Sequence, residues 1–269
     1  MNNRDRLDAK LEDLKGIIRG YGNRVAVAFS GGTDSSFLLA AAMEAAEQVL
    51  AVTVNADFIA QSEVDQASRI AKQLGADHEI IYVPFTDIEK FAENPPDRCY
   101  FCKLNLFRKV ISTAHQHGME TVMEGSNADD PNEHRPGLRA IEELGVFSPL
   151  AEAELRKSEI RELSKRMNLP TWDSPDNTCL ATRIRVGDKI TREKLEMVEE
   201  AEDFMRELGF GLCRVRHHGS LARIEVAPEK IPDLLDPEIR DKIDRKLSEI
   251  GFLYVTVDME GYTRGSMDR

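Results

Sequence analysis

Two groups of residues in this chain have types and spacings that do chemistry. The first is Ser30-Gly31-Gly32-Thr33-Asp34-Ser35, which follows the apolar run Val25-Ala26-Val27-Ala28-Phe29 and precedes Phe37-Leu38-Leu39-Ala40-Ala41-Ala42. A buried strand is therefore expected to turn through two glycines directly into a buried helix. Glycines let the backbone turn tightly and approach a ligand closely. The amides and positive dipole end of the helix that follows attract an anion. With serine hydroxyls at both ends as further donors, the stretch reads as a phosphate cradle; the plain alternative is a turn rich in small residues. No Gly-Lys-Ser/Thr follows, so the cradle is not of the Walker type, and the spaced glycines of a dinucleotide fingerprint are missing.

The second group is sulfur. Cys99-x-x-Cys102 stands at the start of an expected helix, and Cys179 ends the long polar stretch Leu169-Pro170-Thr171-Trp172-Asp173-Ser174-Pro175-Asp176-Asn177-Thr178-Cys179. Loops of that length without their own structure tend to be functional. Three thiolates suit a 4Fe–4S cluster with one iron left open, since cysteine is the normal ligand of such clusters. An open iron can present hydrosulfide as a nucleophile. Idle thiols at a helix start are the alternative, and the histidines offer no fourth ligand at zinc spacing. Cys213, between apolar neighbours in an expected strand, reads as a small core residue. His115 and His117 read as surface residues, His217 and His218 as an exposed hairpin turn, and His78 and His134 as lacking a partner; none is taken as a catalyst.

Charged residues add two candidates. Glu124-Gly125-Ser126-Asn127-Ala128-Asp129-Asp130 follows a short apolar strand. It is either a solvated turn or a place where an acid helps Asp34 hold Mg²⁺ against a pyrophosphate. Arg214 and Arg216 flank Val215 and so share a strand face, with Arg223 and Glu225 expected beside them. They form either a salt-bridged hairpin or an anion site for a phosphorylated substrate.

The elements that must position these groups follow from hydrophobic periodicity. Leu7, Leu11, Leu14, Ile17 and Ile18 predict an opening amphipathic helix. Strands are predicted over 25–29, 49–54, 79–83 and 121–123, separated by helical stretches, with a capping box at Ser62-x-x-Asp65 and a helix over 158–167. This alternation predicts an α/β fold with a doubly wound parallel sheet. From about residue 188 the pattern changes to a helix carrying Leu195, Val198, Ala201, Met205 and Leu208, a hairpin, a helix capped by Asp236-Pro237, and a final strand over 252–257. A smaller α+β domain is expected there. The expected division is a nucleotide domain over 1–172, an active-site linker over 173–187 and a substrate and oligomerisation domain over 188–269. In doubly wound sheets, ligands bind beyond the carboxyl ends of the strands. Asn55, which ends the second strand, and Gly125 and Asp129, after the fourth, are therefore grouped with the glycine loop.

With 269 residues the chain can form one large or two modest cores. Its 36 Lys and Arg against 48 Asp and Glu, a net charge of −12, argue against broad nucleic-acid binding, which needs a cationic footprint. No stretch approaches the ~20 apolar residues of a membrane span, and the polar start is not that of a signal peptide, so a cytoplasmic protein is expected.

The hexapeptide resembles the PP-loop of the ATP pyrophosphatases, which grip the β,γ-pyrophosphate and split ATP between α and β. The whole chain resembles one PP-loop family, the LarE-type pyridinium-3,5-biscarboxylate mononucleotide sulfurtransferases. The likeness is carried by Arg98-Cys99-Tyr100-Phe101-Cys102-Lys103, Gly125-Ser126-Asn127-Ala128-Asp129-Asp130, Arg135-Pro136-Gly137, Cys179-Leu180-Ala181-Thr182-Arg183, Arg214-Val215-Arg216 and Gly261-Tyr262-Thr263-Arg264-Gly265-Ser266-Met267. The resemblance implies that ATP adenylates a carboxylate of the pyridinium mononucleotide, and that a sulfur nucleophile then displaces AMP. The thiocarboxylate formed leads to the nickel-pincer cofactor of lactate racemase. It implies Ser30, Gly31, Gly32, Thr33, Asp34, Ser35, Asn55, Gly125 and Asp129 as ATP and pyrophosphate ligands, with Asp34 also on Mg²⁺. Cys179 and Asp34 take the catalytic roles, and Arg183, Arg214, Glu202 and Glu225 bind substrate. Some members sacrifice the sulfur of the cysteine matching Cys179, whereas others pass added sulfide or a donor protein's sulfur through a 4Fe–4S cluster, here expected on Cys99, Cys102 and Cys179. Thr182 stands where the family pattern has serine. A homo-oligomer, hexameric in the family, is implied as well. The rival readings are a tRNA thiolase, an NAD or GMP synthetase, and a non-catalytic iron–sulfur or nickel-handling protein.

Overall fold

A computed structural model describes residues 3–130, 136–175, 178–263 and 265–267. His134, Arg135, Asp176, Asn177 and Arg264, all named above, lie outside the described residues. The chain divides into two units, Met1–Glu89 with Asp97–Asn177, and Lys90–Pro96 with Thr178–Arg269. The second unit thus takes a short piece of chain from within the first.

The first unit is built on a four-stranded, all-parallel sheet of β1 (Arg24–Ala28), β2 (Gln48–Asn55), β3 (Asp77–Tyr82) and β4 (Thr121–Met123), in the order β3-β2-β1-β4. Side chains alternate across a strand, so both faces must be covered. Val25, Val27, Ala51 and Met123 pack on α1 (Asn3–Gly20), α2 (Thr33–Ala45), α3 (Gln61–Leu74) and α7 (Lys157–Arg166). Ala26, Leu50, Val52 and Val122 pack on the other side against α4 (Arg98–Gln116) and α5 (Pro136–Glu143). This is the doubly wound arrangement expected from the alternating pattern. Helix α1 buries Leu7, Leu14 and Ile18, as its periodicity requires. Lys10 and Arg6 of α1 meet Glu159 of α7 at 2.7 and 3.0 Å. A short helix, α6 (Pro149–Glu152), packs beside α1. The capping box at Ser62 and Asp65 does not form: α3 begins earlier, its N-cap is Ala60, and Asp65 accepts from the Gln61 amide at 2.9 Å instead.

The second unit carries β5 (Cys213–His218), β6 (Leu221–Val226) and β7 (Tyr254–Val257), with β5 antiparallel and β7 parallel to β6. It also holds α8 (Arg192–Glu207), α9 (Ile231–Leu234) and α10 (Pro237–Ile250). Asp236 caps α10 by accepting from Glu238 and Ile239 amides, with Pro237 at the first helical position. Thr191 caps α8 from its hydroxyl. Cys213, Val215, Ala222, Ile224 and Val226 turn one face of the sheet into a core with Ala201, Met205, Ile243 and Leu247. The borrowed segment is anchored by Asn94, whose amide donates to the carbonyls of Arg185 and Asp188 at 2.8 and 3.2 Å. Among the described residues, no helix is long and apolar enough to cross a membrane.

Candidate functional site

The order β3-β2-β1-β4 makes β1 the strand from which the chain builds outward in both directions. The crevice of such a sheet lies beyond the carboxyl ends of β1 and its neighbour β4. Two loops occupy that position, Phe29–Gly32 after β1 and Glu124–Asp130 after β4.

The first loop is shaped by backbone. Gly31 has φ +72°, and a Cβ there would lie 2.7 Å from the Ala67 Cα of α3, so no other residue fits. Its carbonyl accepts from the Gln66 amide at 3.1 Å. Gly32 is the N-cap of α2 and brings no side-chain cap, which leaves the first turn of that helix for an anion. The Ser30 and Ser35 hydroxyls lie 3.0 Å apart across the loop mouth. Thr33 donates away from it, to the Thr171 carbonyl at 2.7 Å, and so ties α2 to the end of the unit rather than facing the cradle. The second loop presses on the same helix: a Cβ on Gly125 would come within 3.2 Å of the Ser35 nitrogen. Asn55 ends β2 on this rim, and its carbonyl accepts from the Val83 amide at 2.8 Å.

The acids of the second loop are committed to its shape. Asp129 accepts from the Lys157 backbone amide at 2.9 Å and so caps α7, while Asp130 accepts from the Asn127 amide at 2.9 Å. Glu124 is buried and accepts from the Ser126 amide, the Ser126 hydroxyl and the Ser148 hydroxyl, at 3.0, 2.9 and 2.6 Å. Asp34, in the first turn of α2, meets the Lys157 ammonium at 2.7 Å. Lys157 had no signal in the sequence, because its partner lies far along the chain and only the packing of α7 beside the loop pairs them. A lysine at the first position of a helix that follows the phosphate loop in space is what such a search would look for.

Cys99 and Cys102 occupy the first turn and a half of α4, three residues apart and therefore on one helix side, Cys99 exposed and Cys102 half-buried. That turn is clamped to α5: the Arg139 guanidinium lies 3.9 Å over the Tyr100 ring, and the Tyr100 hydroxyl donates to Glu143 at 2.7 Å. These two cysteines belong to the first unit and Cys179 to the second.

In the second unit, Cys179 opens a 3₁₀ turn over Leu180–Arg183. Its carbonyl accepts from the Thr182 hydroxyl at 2.8 Å, a bond a serine makes equally well, and from Arg183 at 3.1 Å. Arg183 also donates to the Thr178 carbonyl and hydroxyl at 2.8 and 2.7 Å. Its other edge makes a two-point pair with Glu202 at 2.8 and 2.9 Å, both side chains being under 5% exposed. Glu202 in turn accepts from the Val215 amide at 3.0 Å. The turn bearing the thiol is therefore bolted to α8 and β5.

The polar face of β5 and β6 holds the rest. Register places Arg214 opposite Glu225 and Arg216 opposite Arg223. Glu225, fully buried, accepts from Arg216 at 2.7 Å, Arg223 at 3.0 Å and the Ser266 hydroxyl at 2.6 Å. Arg214 is buried, donates to the Cys213 carbonyl at 2.8 Å and sits 5.4 Å from the Tyr262 ring centre. Burial, then the Arg183 charge, lowers its hold on its proton against the pull of Glu202. The Cys213 thiol is pushed well up by burial and by Glu202, which keeps it an inert core residue. Among the site residues expected from sequence, Arg183, Glu202, Arg214 and Glu225 lie around β5 and β6, and Ser30, Ser35, Gly125, Asp34 and Asp129 lie around the starts of α2 and α7 in the other unit.

Two histidine expectations change. His217 is not an exposed turn residue: β5 runs through it, it is buried, and its ring packs edge-on against Phe252 at 5.6 Å. His218 alone is exposed, the turn being Gly219-Ser220. His78 has a partner, the Thr53 hydroxyl at 2.8 Å. Among the described residues, no group of three or more His, Cys, Asp or Glu side chains is placed to hold a metal ion.

Residues 24–94 match the QueC family of queuosine biosynthesis proteins. Over 264 residues, and 98% of both chains, the protein is 37% identical to an uncharacterised protein of Synechocystis sp.. It is 33% identical, over 97% of its own length and 92% of the relative's, to the pyridinium-3,5-bisthiocarboxylic acid mononucleotide synthase of Lactiplantibacillus plantarum. An uncharacterised protein of Methanocaldococcus jannaschii is 33% identical over 89% of this chain and 90% of its own. A phosphate loop at the switch point of a parallel sheet, and full-length likeness to that synthase, converge: the chain belongs to the LarE-type family of the PP-loop ATP-utilising enzymes.

Proposed function

We propose that the protein is an ATP-dependent sulfurtransferase acting on a carboxylate of pyridinium-3,5-biscarboxylic acid mononucleotide, on the way to the nickel-pincer cofactor of lactate racemase. The observation that carries the ATP half is the glycine loop: Gly31 turns left-handed against α3, and Gly32 starts α2 without a side-chain cap, which leaves the first helical amides for a phosphate. The substrate carboxylate oxygen attacks the α-phosphorus, the bond to the β-phosphate breaks, and pyrophosphate leaves into the loop. The Mg²⁺ that accompanies ATP would supply charge neutralisation at the phosphates. Asp34 is the carboxylate for it, with Asp129 holding α7 and Lys157 in place. Lys157 then exchanges its carboxylate partner for a phosphate oxygen.

The sulfur half rests on Cys179. Arg183 holds the backbone of its turn through the Thr178 and Cys179 carbonyls, and the side chain is half-buried. In the sacrificial route the Cys179 thiolate attacks the acyl carbon and AMP leaves. Loss of the Cys179 α-proton with cleavage of its Cβ–S bond then yields the thiocarboxylate and dehydroalanine. In the cluster route, favoured by the three cysteines, Cys99, Cys102 and Cys179 would hold a 4Fe–4S group, which would supply the sulfur of sulfide or of a donor protein. Arg214 receives the anionic groups of the substrate, and Arg183, Glu202 and Glu225 hold it in place. A homo-oligomer, hexameric as in the family, and a cytoplasmic place are part of the same reading.

Cys179→Ser is the test. Pyrophosphate release that requires the pyridinium substrate persists in the variant, and thiocarboxylate formation stops. Thiolation at the unaltered rate would overturn both sulfur routes. Mass spectrometry of the wild-type chain after turnover separates them: a loss of the Cys179 sulfur marks sacrifice, an intact chain with bound iron and sulfide marks the cluster.

A further inference from the structure

Arg183 holds the start of the Cys179 turn, through the Thr178 and Cys179 carbonyls. The far end is held by a different part of the chain, the segment Lys90–Pro96 that belongs to the second unit. The Asn94 side-chain amide donates to the Ile184, Arg185 and Asp188 carbonyls at 3.4, 2.8 and 3.2 Å. An amide nitrogen carries two hydrogens, so one of them serves two acceptors. The backbone adds two bonds, from the Gly187 amide to the Asn94 carbonyl at 2.9 Å and from the Ile190 amide to the Ala92 carbonyl at 2.8 Å.

Asn94 makes these bonds from a backbone that its own sequence opposes. Its φ is +54°, in the left-handed region that asparagine visits but does not prefer. Pro95 follows it, and a residue before proline is ordinarily pushed to extended backbone. Such a conformation persists where the surrounding structure over-determines it, and it clusters where position matters for function. Asn94 and Phe91 are both 0% exposed, so the segment is seated in the unit rather than laid on its surface.

What the segment grips is short and stiff. The turn from Cys179 to Ile184 is closed by the Thr182 amide on the Cys179 carbonyl at 2.9 Å and the Ile184 amide on the Ala181 carbonyl at 3.2 Å. A shift at Ile184 is therefore carried to Cys179 instead of being absorbed between them. We propose that Asn94 is a positioning residue for the sulfur step, the segment Lys90–Pro96 acting as a strap that fixes the far end of the Cys179 turn. It touches no reacting group and acts through the backbone of Ile184, Arg185 and Asp188. Both sulfur routes need Cys179 in place, so this role rests on the function proposed above; the clamp itself does not.

Two measurements on the full chain test it. Amide-resolved hydrogen exchange of the wild-type chain compares Thr182 and Ile184 of the turn with Gly187 and Ile190 of the strap bonds. The two sets exchange together, because the turn opens only when the strap leaves; turn amides exchanging about tenfold faster overturn the clamp. Asn94→Gly removes the amide yet accepts the left-handed backbone, which separates the lost bonds from strain. In this variant substrate-dependent pyrophosphate release stays within about twofold of wild type, whereas thiocarboxylate formation falls by about tenfold or more. General loss of folded protein lowers both steps alike, so an equal loss in both, or none in either, overturns the positioning role. If the variant does not fold, exchange in the wild-type chain still decides the clamp. A wild-type chain that forms no thiocarboxylate removes the sulfur reading and leaves the clamp to stand or fall on the exchange rates.

Discussion

The phosphate loop of the first unit and the arginine network of the second are both sites for anions, made in opposite ways. The loop offers backbone: amides at a helix start, a glycine at φ +72°, and little side chain in the way. The network offers side chains, and the Arg183, Arg216 and Arg223 guanidinium groups are aimed by the buried carboxylates of Glu202 and Glu225. A backbone site tolerates no added atom, whereas a side-chain site tolerates no missing partner. Substitutions that break each rule should therefore fail differently.

Gly31→Ala is the most damaging change to the first. The new Cβ meets backbone of α3 at 2.7 Å in a left-handed conformation, so strain and clash together cost more than ~2 kcal/mol. ATP binding is lost outright, by titration, even where urea unfolding still shows a cooperative transition. Near-normal ATP affinity would mean that the loop does not hold the phosphates.

In the second unit, Arg183→Ala leaves Glu202 buried without its partner. Breaking a buried pair from one side costs roughly 3–5 kcal/mol. Replacing both, as Arg183→Met with Glu202→Leu, costs much less, and denaturant unfolding measures the difference. Both variants release the Cys179 turn, so thiocarboxylate formation falls in each regardless of stability. A single variant as stable as the double one would show that the pair does not act as a unit.

Lys157→Met sharpens the contrast from the other side, because here one long side chain serves a backbone site. It removes the Lys157 ammonium from Asp34, and the expected loss in substrate-dependent pyrophosphate release is about tenfold, ~1.4 kcal/mol. Thermal stability changes little, since both groups are partly open to solvent.

The smallest effect is one of pH. Burial holds His78 below its ordinary value of 6.5, against a weak opposing pull from Glu79. The unfolded chain then takes up a proton before the folded one does. Its contribution is complete above pH 6.5 and is lost as pH falls from there through the lowered folded value. The melting temperature should slope downward over that window, and His78→Asn should flatten the slope. A profile unchanged by the substitution would place the titration elsewhere, His217 and His218 being lowered by burial as well.

These two regions also differ in how much of them a sequence displays. The loop is local: six consecutive residues between two apolar runs state their own geometry, because glycine is the only residue for the left-handed turn beside α3. The face shared by Arg214 and Arg216 was legible from alternation, and so was Glu225 beside them. The neighbour that holds Arg183 was not paired with it, because Glu202 reaches it only when α8 packs on β5. Local signals also misled. Ser62 and Asp65 have capping-box spacing, yet the helix starts earlier because α3 is placed by the packing of Ala67 and Ile70. His217 looked like turn residue until β5 ran through it to a tighter turn.

What the amino-acid order determined alone is what depends on near neighbours: the alternation of strands and helices, the glycine turn into α2, the Asp236 cap and the apolar stripes. Tertiary structure decided which distant side chains meet. It set Lys157 against Asp34, gave Asp129 to the start of α7 and moved Lys90–Pro96 into the second unit. Turns and periods are fixed by steric limits within a few residues. Ion pairs and caps between segments depend on packing, which no short stretch of chain contains.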